Sequence, residues 1–259
     1  MNTRRISVSA GLVLAAIALL TGCGANQSSS LASLTAPGGG TGLAPAGAPT
    51  LSLVSLPFDP SNYVTGVTNP FFPLTPGTVF TYRTDDGVET NTVEVTHQTK
   101  TILGVATTVV HDQVFREGSL TEDTFDWYAQ DRQGNVWYFG EDTKELDHGV
   151  VLTTEGSWEA GMNGAHAGLI MLADPKVGDS YKQEDAPGVV ADMGKVLSLK
   201  ETATVPAGSF FPCLQTAEWT PLEPGNRSFK FYAAGIGCVL EQTPRQGGER
   251  VELISIRRP

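Results

Sequence analysis

From residue 57 to the C-terminus the chain is made of short runs rich in Val, Thr, Tyr, Phe and Trp, separated by clusters of Gly, Pro, Asn and Asp, and apolar residues hardly ever recur at helical spacing. Alternation with a period of two gives an extended strand one buried face, whereas a helix needs apolar residues every three or four positions. The pattern therefore predicts a mainly β fold: a single domain of antiparallel strands forming a curved sheet or a half or open β-barrel. Strands are expected over residues 78–84, 89–103, 105–115, 122–130, 135–139, 150–154, 196–205, 210–220, 228–233, 237–241 and 250–256. Residues 156–178 hold several glycines and little alternation, so they read as a long loop, a place to look for function.

One hairpin, residues 125–139, sets its own register. Asp131 suits the first position of a type I turn and Gly134 the left-handed residue that follows, so a three-residue loop closes on Asp131 and Asn135. That turn places Trp127 opposite Phe139 and Ala129 opposite Trp137, on an apolar face with Phe125 that belongs in a core. The other face carries Asp126, Tyr128, Gln130, Val136 and Tyr138. Rings around a carboxylate either line a ligand cavity or satisfy a buried Asp126 through a tyrosine hydroxyl.

Ahead of this domain stand Arg4 and Arg5, an apolar run over residues 6–20, and then Leu20-Thr21-Gly22-Cys23. This is the three-part layout of an export signal, and at 15 residues the run is shorter than the ~20 that span a bilayer, so cleavage is expected. Leu20 to Cys23 resembles the lipobox of bacterial lipoproteins, which implies a diacylglycerol on the Cys23 thiol and a cut just before it. Acyl chains on Cys23 would hold a soluble domain on a membrane. Gly24 follows, and the absence of Asp there, by the same resemblance, favours the outer membrane if the host has one. Residues 24–56 are almost uncharged and rich in Gly, Ala, Ser, Pro and Thr, a composition that cannot build a core. As a flexible coil they span about 30 Å root mean square. The expected division is a signal peptide over 1–22, lipidated Cys23 with a tether to residue 56, and a globular β domain over 57–259.

Removing residues 1–22 takes away two arginines and no acids, leaving 15 basic against 28 acidic side chains, a net −13. Such a surface repels nucleic acid and anionic headgroups, so contact with a membrane must come through the acyl anchor. Cys213 and Cys238 form an even pair in an exported chain and are expected to bridge; two buried free thiols are the alternative. A simple hairpin would put residue 213 nearest Ala234, so the bridge needs a bulge or bend at Gly235 and Gly237. Closing a loop of about 25 residues would stabilise by roughly 3 kcal/mol.

His97, His111, His148 and His166 sit in separate segments with no ligand spacing, so no metal site is expected, and no motif implies a cofactor. No nucleophile elbow, phosphate loop or dinucleotide fingerprint occurs in the domain. Glu122, Asp123, Glu141 and Asp142 are the candidate acid–base or calcium groups, because the hairpin register brings Glu141 opposite Phe125, near Glu122 and Asp123. At strand ends they serve equally well as a solvated cluster.

Asn69-Pro70-Phe71-Phe72-Pro73-Leu74, the hairpin from Asp126 to Glu141, Val205-Pro206-Ala207-Gly208-Ser209-Phe210 and Phe231-Tyr232-Ala233-Ala234-Gly235-Ile236-Gly237 resemble a family of poorly characterised bacterial exported proteins and lipoproteins. The Pro-Ala-Gly turn and the Tyr-Ala-x-Gly-x-Gly strand are similar to segments of exported open or half β-barrels, with Ala234 where proline is usual. This resemblance implies a shape and transfers no catalytic residue. The leading expectation is a non-catalytic, lipid-anchored exported domain that binds an apolar or amphipathic ligand, or an envelope partner protein. Asp126, Tyr128, Tyr138 and Trp158, with Met162 and Met171, are the candidate lining. A carboxylate-dependent hydrolase of an envelope or extracellular glycan and a purely structural envelope protein are the alternatives.

Overall fold

The computed structural model describes residues 53–244 and 248–259; Cys23, the signal segment and residues 24–52 lie outside them. Among the described residues the strands are β1 (Tyr63–Val64), β2 (Val79–Thr84), β3 (Glu89–Ile102), β4 (Val105–Arg116), β5 (Ser119–Asp131), β6 (Val136–Asp147), β7 (Val150–Thr153), β8 (Trp158–Glu159), β9 (His166–Met171), β10 (Ser180–Lys182), β11 (Glu184–Asp185), β12 (Met193–Val205), β13 (Gly208–Trp219), β14 (Ser228–Ala233), β15 (Gly237–Gln242) and β16 (Arg250–Arg257). The expected loop over 156–178 holds β8 and β9. Residues 168–171 of β9 are buried in succession, so the strand lacks the alternation that marks one exposed face.

Two antiparallel meanders, β2 to β6 and β12 to β16, meet where β16 pairs with β2. On the other side β9 extends the sheet from β6, and a single six-residue segment completes the circuit. Residues 180–182 pair with β12, residues 184–185 pair with β9, and only Gln183 lies between. The sheet is thereby nearly closed into a barrel. Gly168 permits this, because a β-carbon there would collide with the Gln183 carbonyl.

The Asp131 turn forms as expected. Asp131 Oδ1 accepts the amides of Gln133 and Asn135 at 3.0 and 2.9 Å, and Oδ2 accepts the Asn135 side chain and the Trp137 indole at 2.8 and 3.0 Å. Ala129 faces Trp137 and Tyr128 faces Tyr138, but the register then slips. Gly140, at φ 121°, is an extra residue on β6. Trp127 stands at the bulge, opposite Phe139 and Gly140, and beyond it Phe125 faces Asp142 where Glu141 was expected. The bulge puts Glu141 directly opposite Asp126.

Both faces of this hairpin are covered. On the outside, Tyr63 lies edge-on to Trp137 and Phe139, with ring centroids 6.0 and 5.5 Å away. On the inside, residues 69–74 seal one end of the barrel. Gln130 Oε1 accepts the Thr68 and Asn69 amides, Asn69 Nδ2 donates to the Gly134 and Leu172 carbonyls, and Phe72 packs edge-on against Tyr128 at 5.2 Å.

The expected Cys213–Cys238 bridge is not present; both thiols are free and buried. Cys213 on β13 pairs with Ala233, and Cys238 on β15 pairs with Tyr232, so β14 runs between them. Two strand spacings amount to roughly 9–10 Å, beyond the ~7 Å that a disulfide can span.

Candidate functional site

Strand alternation turns Asp126, Tyr128 and Tyr138 into the barrel, where all three are fully buried. Tyr128 and Tyr138 stack at 4.7 Å, and the buried Trp158 meets Tyr138 edge-on at 5.4 Å. Met171 is buried, whereas Met162 is exposed. The proposed lining is thus an interior cluster of the barrel and not the wall of a surface cleft.

The four candidate acid–base groups are divided. Glu122 and Glu141 face inward with Asp126, while Asp123 pairs with His111 at 2.7 Å on the outer face and Asp142 reaches Lys144 at 3.2 Å. The Tyr138 hydroxyl lies 2.6 Å from Asp126 Oδ1 and 3.0 Å from Glu141 Oε2. One phenol proton can serve only one of them, so the second carboxyl must itself be protonated and donate to the phenol oxygen. Burial pushes Asp126 up to about 7, against the hydrogen bond from Tyr138. Burial, together with the charges of Glu184, Asp126 and Glu122, raises Glu141 well above the usual range.

The acidic lining extends beyond this pair. Asp112 of β4 is raised by burial and by Asp126 and Glu122, and burial lifts Glu122 itself to about 7. Asp112 Oδ1 accepts the Asn91 amide at 2.8 Å, while Oδ2 is shut off from solvent and accepts no hydrogen bond. Lys230 of β14 is the one buried lysine or arginine among the described residues. Its ammonium is 2.8 Å from Glu218 and 4.0 Å from Glu241. Burial would raise Glu218, but Lys230 outweighs it and holds that carboxyl below its ordinary value.

At the end of the barrel opposite the Phe72 seal lies a cleft of about 410 Å³, lined by Asp85, Asp86, Glu89, Arg116 and Glu249 among others. Glu89 lines this cleft although it is itself buried, and burial raises its carboxyl against the lowering by Arg116, with Glu122 adding to the rise. Burial first, and then Glu89, lift Glu249 to about 7. Carboxyls thus stand at the cleft, with Glu89 among its lining, and on the inner face of β5 and β6 at Glu122, Asp126 and Glu141.

Asp112, Glu184, Glu218 and Lys230 were not legible as site residues. A signal existed for Asp112, which sits between the buried Val110 and Val114 on one face of β4. A charge at such a position is either an error of register or a functional group.

No family model matches the chain, and no curated protein matches it. Two solved structures are similar. One, from Bacteroides fragilis, is described as an exported protein with a YmcC-like fold; it is 16% identical with a TM-score of 0.40, covering 73% of this chain and 99% of that one. The other, from Parabacteroides distasonis, is described as a lipoprotein; it is 12% identical with a TM-score of 0.40, covering 74% of this chain and 100% of that one.

Proposed function

We propose that this chain is an exported lipoprotein, anchored through Cys23, whose barrel takes a small polar ligand into its interior without transforming it. The observation that carries the binding reading is the wholly buried Asp112, whose Oδ2 has no hydrogen-bond donor, beside the equally buried Asp126, whose donors are tyrosine hydroxyls alone. Such atoms are rare in protein interiors because each forfeits its hydration without replacement, and a bound molecule with donors restores it. Tyr128, Tyr138 and Trp158 pack on one another, and the carboxyls set the polarity, so the ligand is polar where the sequence alone suggested an apolar or amphipathic one or a partner protein.

The division of Asp123 and Asp142 from Glu122 and Glu141 weighs against a glycan hydrolase, as does the complete burial of Asp126 and Glu141, which leaves a polymeric substrate no approach. The anchor rests on Leu20 to Cys23. Labelled palmitate should enter the wild-type chain and not Cys23→Ser. Native mass spectrometry of the full-length protein in detergent should show a small-molecule mass above that of the lipidated chain. A chain that is always empty, and whose melting temperature no polar small molecule raises, would overturn the binding reading.

A further inference from the structure

We infer that the interior site is built for an organic cation carrying two amino groups, which enters by the cleft beside Arg116 and is held by Glu122, Asp112 and Asp126. This deepens the binding reading above and rests on it.

The charge balance gives the sign of the ligand. Lys230 makes its ion pairs with Glu218 and Glu241; its charge also acts on Asp112 and Asp126, yet burial outweighs it at both, and among the described residues no ion pair joins a basic side chain to either of them. At the mouth, Arg116 stands 3.7 Å from Glu89 and faces three further carboxyls around the cleft. An anion or a neutral apolar molecule would have to pass this row and then lie against it, whereas a cation is drawn in along it.

Spacing gives the shape. Asp112 pairs across the sheet with Thr124, and Glu122 and Asp126 lie two residues to either side of Thr124 on the same face. Each is thus a diagonal neighbour of Asp112, about 7–8 Å away. A metal ion needs its oxygens at about 2–2.6 Å, and among the described residues no three acidic, histidine or cysteine groups converge closely enough to hold one. Two ammonium groups on a short aliphatic chain, each with three diverging donors, match carboxyls set in such a row. The stacked Tyr128 and Tyr138 rings hold the site rigid beside Asp126, with the Tyr138 hydroxyl on its carboxyl.

Burial favours the protonated forms of Asp112, Glu122 and Asp126, and the Tyr138 hydroxyl bridges Asp126 and Glu141. A dication supplies the positive charge that those protons supplied, so binding expels protons into solvent and strengthens as pH rises.

The test is isothermal titration of full-length protein in detergent with 1,4-diaminobutane, at about pH 6 and about pH 8, in two buffers of different ionisation enthalpy. Expected are saturable binding, proton release, tighter binding at the higher pH and no binding of 1,4-butanediol. Asp126→Asn and Asp112→Asn should each weaken the diamine by about tenfold or more, while Asp123→Asn on the outer face leaves it unchanged. Two substitutions at separate strands, each checked by thermal melting, guard against one variant failing to fold. Equal binding of the diol, or full diamine affinity in both folded Asn variants, overturns the amine assignment. If the diol binds and Asp126→Asn weakens it, the amine class is wrong and interior binding survives; if neither probe binds and the chain is always empty, both readings fall.

Discussion

Alanine at position 140 would set a β-carbon against the Trp158 carbonyl at a backbone φ of 121°, a conformation that L residues rarely adopt. Gly140→Ala should therefore destabilise by about 2–4 kcal/mol in a denaturant melt, by straining the bulge that aims Glu141 at Asp126. Asp131→Ala, which strips four donors of their acceptor, should lose about 2–4 kcal/mol by the same measurement. The two sites differ in how far they could be read. Asp131 acts on residues within six positions of itself, so its turn follows from local chemistry. The bulge answers to β8, a distant partner that no local pattern announces, and one inserted residue was enough to move every expected pairing beyond it. The cysteines failed for a related reason: their spacing fits a hairpin, but the intervening strand is visible only in three dimensions. Without reductant, a thiol reagent should find Cys213 and Cys238 unreactive in the folded protein and label both on unfolding.

Among the elements, the long strands were legible because their runs of β-branched and aromatic residues are bounded by turn residues, and β9, β10 and β11 were not, being glycine-bearing with little alternation or only two or three residues long. The segment over residues 69–74 carries little periodicity of its own and acts through what it inserts. Phe72, 3% exposed, fills the sealed end against Tyr128. Phe72→Ala should reduce stability by about 3–5 kcal/mol, read from thermal or denaturant unfolding, through loss of buried area and the void left behind. The same loss of packing would be larger for Tyr128→Ala combined with Tyr138→Ala, since both rings are wholly enclosed.

For the whole molecule, the acidic interior reverses the usual dependence of stability on pH. Burial holds Asp126 and Glu122 protonated up to about 7, whereas the unfolded chain ionises such carboxyls near pH 4. Over that interval the folded state binds more protons, so stability is greatest below it and declines as pH rises through about 7. A melting temperature that falls from about pH 5 to about pH 8, by on the order of a few kcal/mol in stability, is the expected result, and Asp126→Asn should flatten the slope. A melting temperature that climbs over the same range would show that these groups are charged in the empty barrel. The circuit of the sheet has its own consequence. Because residues 180–185 hold β12 with one end and β9 with the other, they work like the clasp of a necklace, which is either fastened or open. Backbone amides on both halves of that short stretch should exchange with deuterium in concert, and whatever prises one half loose frees both lips of the wall at once.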